Sequence, residues 1–173
     1  MPERTQPGAD ILAQGVLLER LALYDRALER YRVAAASRDP AIRAEALRRE
    51  ADVYRARCQW RDALERARES AYIAESSGLT DLFTEALNAE GLVQLSRGEI
   101  DSATALFQRI IAVTGSEAIR AIAFGNLGIA AATQGDLSRA EGLLERSHES
   151  LEALGFGRAT AVALANRGRV ALE

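Results

Sequence analysis

Apolar positions recur along this chain with a helical period that restarts four times. An alanine followed four residues later by a second apolar residue marks each restart, at Ala27/Tyr31, Ala63/Ala67, Ala103/Phe107 and Ala140/Leu144. Three residues before each alanine stands a large apolar side chain, Tyr24, Trp60, Ile100 or Leu137, usually after a turn such as Arg97-Gly98-Glu99 or Gln134-Gly135-Asp136. Twelve residues before each alanine lies a small residue, Gly15, Ala51, Gly91 or Gly128, and Gly168 continues the series. Leu47, Leu87, Phe124 and Leu164 each precede a small position by four residues, which puts them one turn earlier on the same helical face. The pattern predicts two helices per repeat, joined by the turn, and an all-α chain.

The residue types follow from close packing. Where two helices approach at ~8–10 Å the contact positions must be small, so Gly or Ala is expected on the first helix and Ala on the second, with bulk filling the gaps around them. A single hairpin cannot bury its apolar face, whereas stacked hairpins can, with stability drawn from nearest-neighbour interfaces. From Gly15 onward the repeat spacings are 36, 40, 37 and 40 residues. The extra length falls after the second helices, at residues 37–40, 76–81, 114–116 and 154–157, in helix stops and N-cap signals.

These features resemble the tetratricopeptide repeat, which has a Gly-x-x-Tyr first helix, an Ala-x-x-x-Phe second helix and a common period of about 34 residues. Segments such as Gly125-Asn126-Leu127-Gly128, Gln134-Gly135-Asp136-Leu137 and Glu152-Ala153-Leu154-Gly155 look most like the long-repeat arrays of bacterial regulators, signalling ATPases and some eukaryotic cargo or polarity adaptors. The resemblance implies a right-handed superhelical solenoid of about four hairpins, over residues 9–40, 41–80, 81–116 and 117–156, with a last helix at 157–173. That gives one domain, 9–173, behind a flexible leader, 1–8. Residues 162–173 read as a first helix with no second helix after it, either a truncation or the terminal cap that such arrays need.

Composition fits that architecture: 48% apolar but only 5% aromatic residues suits a continuous small-residue core without a bulky centre. All 22 basic residues are arginine, a usage ascribed to a GC-rich genome, and the net charge of −3 argues against general nucleic-acid affinity. Positive charge concentrates in the second repeat, at Arg43, Arg48, Arg49, Arg55, Arg57, Arg61, Arg66 and Arg68. The i,i+4 partners Glu45/Arg49, Arg48/Asp52 and Asp62/Arg66 make a solvated ion-paired face the expectation, with a basic ligand patch as its alternative. Residues 1–8 lack the apolar stretch of a signal peptide, and the uncharged run 121–135 is shorter than the ~18 residues of a membrane span. A cytoplasmic protein without membrane insertion is expected.

Candidate chemistry is sparse. Cys58 has no partner for an internal disulfide and reads as a small half-buried side chain. His148, the only histidine, lies in a polar stretch and reads as a surface residue without the further ligands a metal needs. Residues 155–160 lack the third glycine of a dinucleotide fingerprint and follow a helix, so they read as an inter-repeat turn. The carboxylates are expected at solvent-facing positions, without the paired, desolvated setting of acid/base catalysis. No enzyme activity, cofactor or metal is expected.

Function is therefore expected from surfaces. In the family this chain resembles, first helices line a concave groove that receives a peptide or helix of a partner. Register from the small position places Arg48, Arg49, Asp52, Arg55, Asn88, Leu92, Leu95, Asn126, Ile129, Asn166 and Arg169 there. Asn88, Asn126 and Asn166 could hydrogen-bond a ligand backbone, since an amide both donates and accepts, or could bridge neighbouring helices. The arginines could meet an acidic segment, and the leucines and Ile129 an apolar helix face. The carboxylate clamp of chaperone-binding relatives is not matched: Leu12 and Val16 occupy its first-repeat positions, and Glu85 and Ala89 its third-repeat positions. The expected function is a protein-interaction scaffold. Its alternatives are a regulatory or sensory segment of a bacterial transcription or signalling protein that binds a small peptide or effector, and a homo-oligomerisation module.

Overall fold

The structure, a computed structural model, describes residues 7–156. Its described residues form eight helices and no strand: α1 Pro7–Arg20, α2 Tyr24–Ala35, α3 Pro40–Ala56, α4 Trp60–Ser76, α5 Thr80–Ser96, α6 Ile100–Val113, α7 Glu117–Thr133 and α8 Leu137–Ala153. The last helix expected at 157–173, with Leu164, Asn166, Gly168 and Arg169, lies outside the described residues. The chain divides into two compact units, Met1–Glu90 and Gly91–Glu173, the division falling within α5.

The four large apolar residues ahead of the alanines are the first residues of α2, α4, α6 and α8. Each is preceded by a turn with one left-handed residue: Ala22 (φ 57°), Cys58 (φ 58°), Gly98 (φ 80°) and Gly135 (φ 81°). The next N–H donates to the carbonyl five residues back, Leu23 to Leu18 and Gln59 to Tyr54 at 2.9 Å, Glu99 to Gln94 at 2.9 Å and Asp136 to Ala131 at 3.0 Å. This is the Schellman closure of a helix C-terminus. Two of its four left-handed positions carry a Cβ, at Ala22 and Cys58. Cys58 is exposed, not half-buried as expected, because it occupies the tip of the hairpin beyond both helices.

Starts of first helices are built from short polar side chains. The Asp39 carboxylate accepts from Ala41 N at 2.9 Å with Pro40 behind it, and Ser116 Oγ accepts from Ile119 N at 3.4 Å. These satisfy N–H groups that the helix itself cannot pair.

Each hairpin matches a small residue on the first helix to the residue 16 positions later on the second. A Cβ at Gly91 would lie 2.6 Å from the Phe107 ring, and one at Gly128 would lie 2.7 Å from Leu144 Cγ. Gly15 likewise faces the Tyr31 ring. Ala51 instead packs with Ala67, and with Ala89 of α5, in one buried cluster. The expected small residues of the second helices, Ala27, Ala63, Ala103 and Ala140, are fully buried, and next to them three hairpins oppose a glycine to a large side chain while the second opposes alanine to alanine. Leu47, Leu87 and Phe124 are buried one turn away, as expected.

Three charged features differ from expectation. Arg66 pairs with Glu69 at 2.8 Å, Glu50 at 3.6 Å and Glu65 at 3.7 Å; the anticipated Asp62 is not among its partners. Carboxylates are not uniformly solvent-facing, since Glu50 is buried, and burial pushes its carboxyl up against the pull of Arg66 and Arg32. His148 is largely covered, with its Nε2 3.8 Å from Glu152 and its Nδ1 buried without a hydrogen bond.

Candidate functional site

In the first unit the register positions converge on one polar row across the first helices. Glu45 stands three and four residues before Arg48 and Arg49, Asp52 four and three after them, and Arg55 three after Asp52, so α3 presents them on a single side. Arg48 is the hub. Its Nε and Nη2 donate to the two oxygens of Glu45 at 2.7 and 2.6 Å, and its Nη1 donates to Asp52 at 3.0 Å. Glu85 of α5 stands 3.2 Å from Arg48 Nε. Arg49 donates to Glu45 at 2.7 Å and lies 3.8 Å from Glu19 of α1. Glu19 in turn accepts from the Tyr31 hydroxyl. Arg55 reaches Asp52 at 4.0 Å, and its Nε is buried without a hydrogen bond.

This row is more enclosed than the solvated face expected, with the Arg48 side chain only 13% exposed. Burial works against the charged form of Glu45, yet Arg48 and Arg49 outweigh it and hold the carboxyl below its ordinary range. At Asp52 and Glu85 burial wins, and both carboxyls are pushed up despite Arg48. Burial likewise opposes the charge of Arg48, but Glu45, Asp52 and Glu85 raise its guanidinium further. Three arginines thus face four carboxylates, which leaves no basic patch.

Beside the row lies an open hollow of about 340 Å³, walled by Ala9, Leu12, Ala13, Val16, Leu17 and Arg20 of α1 and by Glu45 of α3. Leu12 and Val16 had been placed on this face by register; Glu19, Glu45 and Glu85 had not been named as site residues. Only Glu45 carried a signal in the sequence, its three- and four-residue spacing from Arg48 and Arg49 along α3; Glu19 and Glu85 reach the row from α1 and α5. Ala89 is buried against Ala51 and Ala67, and Asn88 is half-buried and already engaged in an interaction.

In the second unit, Leu92 and Leu95 of α5 and Asn126 and Ile129 of α7 are half-buried. Asn126 is engaged in an interaction. Nearby, Arg146 stacks 3.9 Å from the centre of the Phe124 ring. Asn166 and Arg169 lie outside the described residues. Among the described residues no cluster of three or more acidic, His or Cys side chains is placed to hold a metal, and no helix is long and apolar enough to cross a membrane.

No family model matches the chain, and no curated protein matches it in sequence. Solved structures match its fold. A Rap protein complexed with competence and sporulation factor shares 17% identity at a TM-score of 0.82, over 92% of this chain and 47% of that one. The apo form of RapI gives 17% identity and 0.71, over 92% and 46%. A protein of Podosopora anserina, described as a kinesin light chain with nearly identical TPR-like repeats, gives 13% and 0.66, over 95% and 96%. The chain spans about half the length of the two Rap structures. The helical hairpins, their Schellman turns and these structural neighbours together identify a tetratricopeptide-repeat-like fold.

Proposed function

We propose that this chain is a protein-interaction module that holds a peptide or helix of a partner against its first helices. The observation that carries this reading is the half-buried row on α3, flanked by Glu19 and Glu85 and bordered by the apolar hollow on α1. Charged groups so arranged add little to folding, because burial costs them much of what pairing returns. They do offer oriented donors and acceptors beside a pocket for an apolar side chain, the combination that fixes a peptide's register. Arg48, Arg49, Asp52 and Arg55 would contact the guest in the first unit. Asn88 would stand on the same unit, and Leu92, Leu95, Asn126 and Ile129 would offer a more apolar surface on the second. Asn166 and Arg169 belong to the same register. We place the protein in the cytoplasm and assign it no catalysis.

The test uses a photo-crosslinking residue at Arg55 in the source cell to trap the guest, followed by affinity measurement with the purified pair. Arg55→Glu and Glu85→Lys should each weaken binding by about 1–3 kcal/mol, the scale of losing a charge-assisted hydrogen bond. Arg61→Glu, at an exposed site on α4, should not. Equal loss from all three, or none from the first two, removes this surface from the function. A second reading is supported by the likeness to half of a Rap protein complexed with competence and sporulation factor: the chain would be the sensory segment of a bacterial transcription or signalling protein and its guest a small peptide or effector.

A further inference from the structure

The outward side of α1 is bare, and its residues are arranged to match themselves. Asp10, Ala13, Leu17 and Arg20 follow the three-four-three spacing of a heptad seam. All four are exposed, Leu17 at 60%, and Leu21 just beyond the helix is exposed at 61%. Among the described residues neither Asp10 nor Arg20 has an ion-pair partner, so both charges are free to meet their opposites on a second copy.

An antiparallel copy of this seam brings Asp10 opposite Arg20 at both ends and Ala13 opposite Leu17 on both sides of the centre. A small residue then faces a large one twice, and each exposed charge gains its opposite. A two-fold contact has this requirement: one patch must be complementary to itself when inverted. The seam's charges also suit helix α1 alone, with the acid in the first turn and the base in the last. The exposure of Leu17 is not accounted for that way.

We propose that α1 is a self-association surface, with a second copy of this chain as its occupant, paired antiparallel about the level of Gly15. Leu17 of one copy enters beside Ala13 of the other, at the edge of the hollow on α1. Two helices of this length bury less than the ~1,200 Å² of stable complexes, so the pair is weak and reversible. Leu17 and Arg20 also wall the hollow, and self-pairing would therefore compete with a guest there. That consequence rests on the proposed groove; the pairing itself does not.

Sedimentation equilibrium of the full chain, taken up to about 1 mM to cover millimolar-range association, tests the pairing without any ligand. Wild type should form dimers. Asp10→Arg and Arg20→Asp should each weaken association by about tenfold or more, the effect of like charges placed opposite each other. An equimolar mixture of those two variants restores opposite charges at both ends and should dimerise more tightly than either variant alone. Leu17→Glu should be monomeric with an unchanged circular dichroism spectrum. A monomeric wild type at every concentration overturns the proposal, as does a mixture no tighter than its components. Guest binding unchanged by Arg55→Glu and Glu85→Lys, with these results intact, would refute the groove and leave the dimer standing.

Discussion

Replacing Gly128 and Leu144 together should cost far less than the two single replacements predict. An alanine Cβ at residue 128 would sit 2.7 Å from Leu144 Cγ, 3.0 Å from its Cδ2 and 3.2 Å from the Ala140 carbonyl oxygen. The leucine is wholly buried and has no room to withdraw, so Gly128→Ala should destabilise by about 1–3 kcal/mol through overpacking. Leu144→Ala should cost about 2–5 kcal/mol through the cavity it leaves. In the double variant the new methyl enters the vacated space and the fourth hairpin acquires the alanine pair that the second already has at Ala51 and Ala67. The two changes should therefore couple favourably by at least ~1 kcal/mol, above the ~0.3–0.5 kcal/mol scatter of independent sites. Urea denaturation of the four proteins measures the cycle. Gly142→Ala in α8 is the control, since nothing lies within 4 Å of its Cβ. Additive costs, or a Gly128→Ala variant as stable as the control, would refute the matching of sizes across the hairpin.

Other expectations follow from the same features. Cys58→Gly should stabilise the chain by about 1 kcal/mol or less, because relief of the left-handed strain of ~1–2 kcal/mol is partly offset by the greater freedom of glycine when unfolded; a lower melting temperature refutes it. Gly98→Ala should do the reverse and cost about 1–2 kcal/mol, whereas Gly115→Ala, with no positive φ and nothing near its Cβ, should be nearly neutral. Glu50→Gln should match or exceed wild-type stability at neutral pH. Burial raises the folded carboxyl of Glu50, so the native state holds its proton more tightly than the unfolded one, and wild-type stability from this group falls as pH rises through that window. The variant's advantage should accordingly vanish as pH is lowered through the carboxylate range, and melts from pH 4 to 7, the span that brackets ordinary and raised carboxylates, would expose the opposite trend.

Much of the fold was legible because a helical period constrains the backbone directly. The alanines and the large residues three positions earlier fixed where every second helix begins, and Gly15, Gly91 and Gly128 marked the first-helix contacts. What the small residues faced was not legible, since size is matched across two helices and not along one. Cys58 was misjudged for a related reason: the glycines at 98 and 135 signal a left-handed turn, but Ala22 and Cys58 hold the same conformation without the signal. Within the site, the spacing along α3 revealed the pairs Glu45/Arg49 and Arg48/Asp52. It could not reveal that Glu85 and Glu19 join the row, nor that Glu50 of α3 reaches Arg66, because those contacts depend on neighbouring helices; Arg66 also passes over Asp62 for Glu69, an equally available partner on its own helix.

The row around Arg48 has a consequence for selectivity. A carboxylate arriving there finds Glu45, Asp52 and Glu85 already holding the guanidinium, so it must evict one of them, and the two bonds exchanged are nearly equal in worth. Such a surface is a poor magnet but a strict judge. It returns little to a guest for charge alone and penalises one that breaks a resident pair without replacing it, so discrimination would show as fast release of wrong partners rather than as slow capture of the right one.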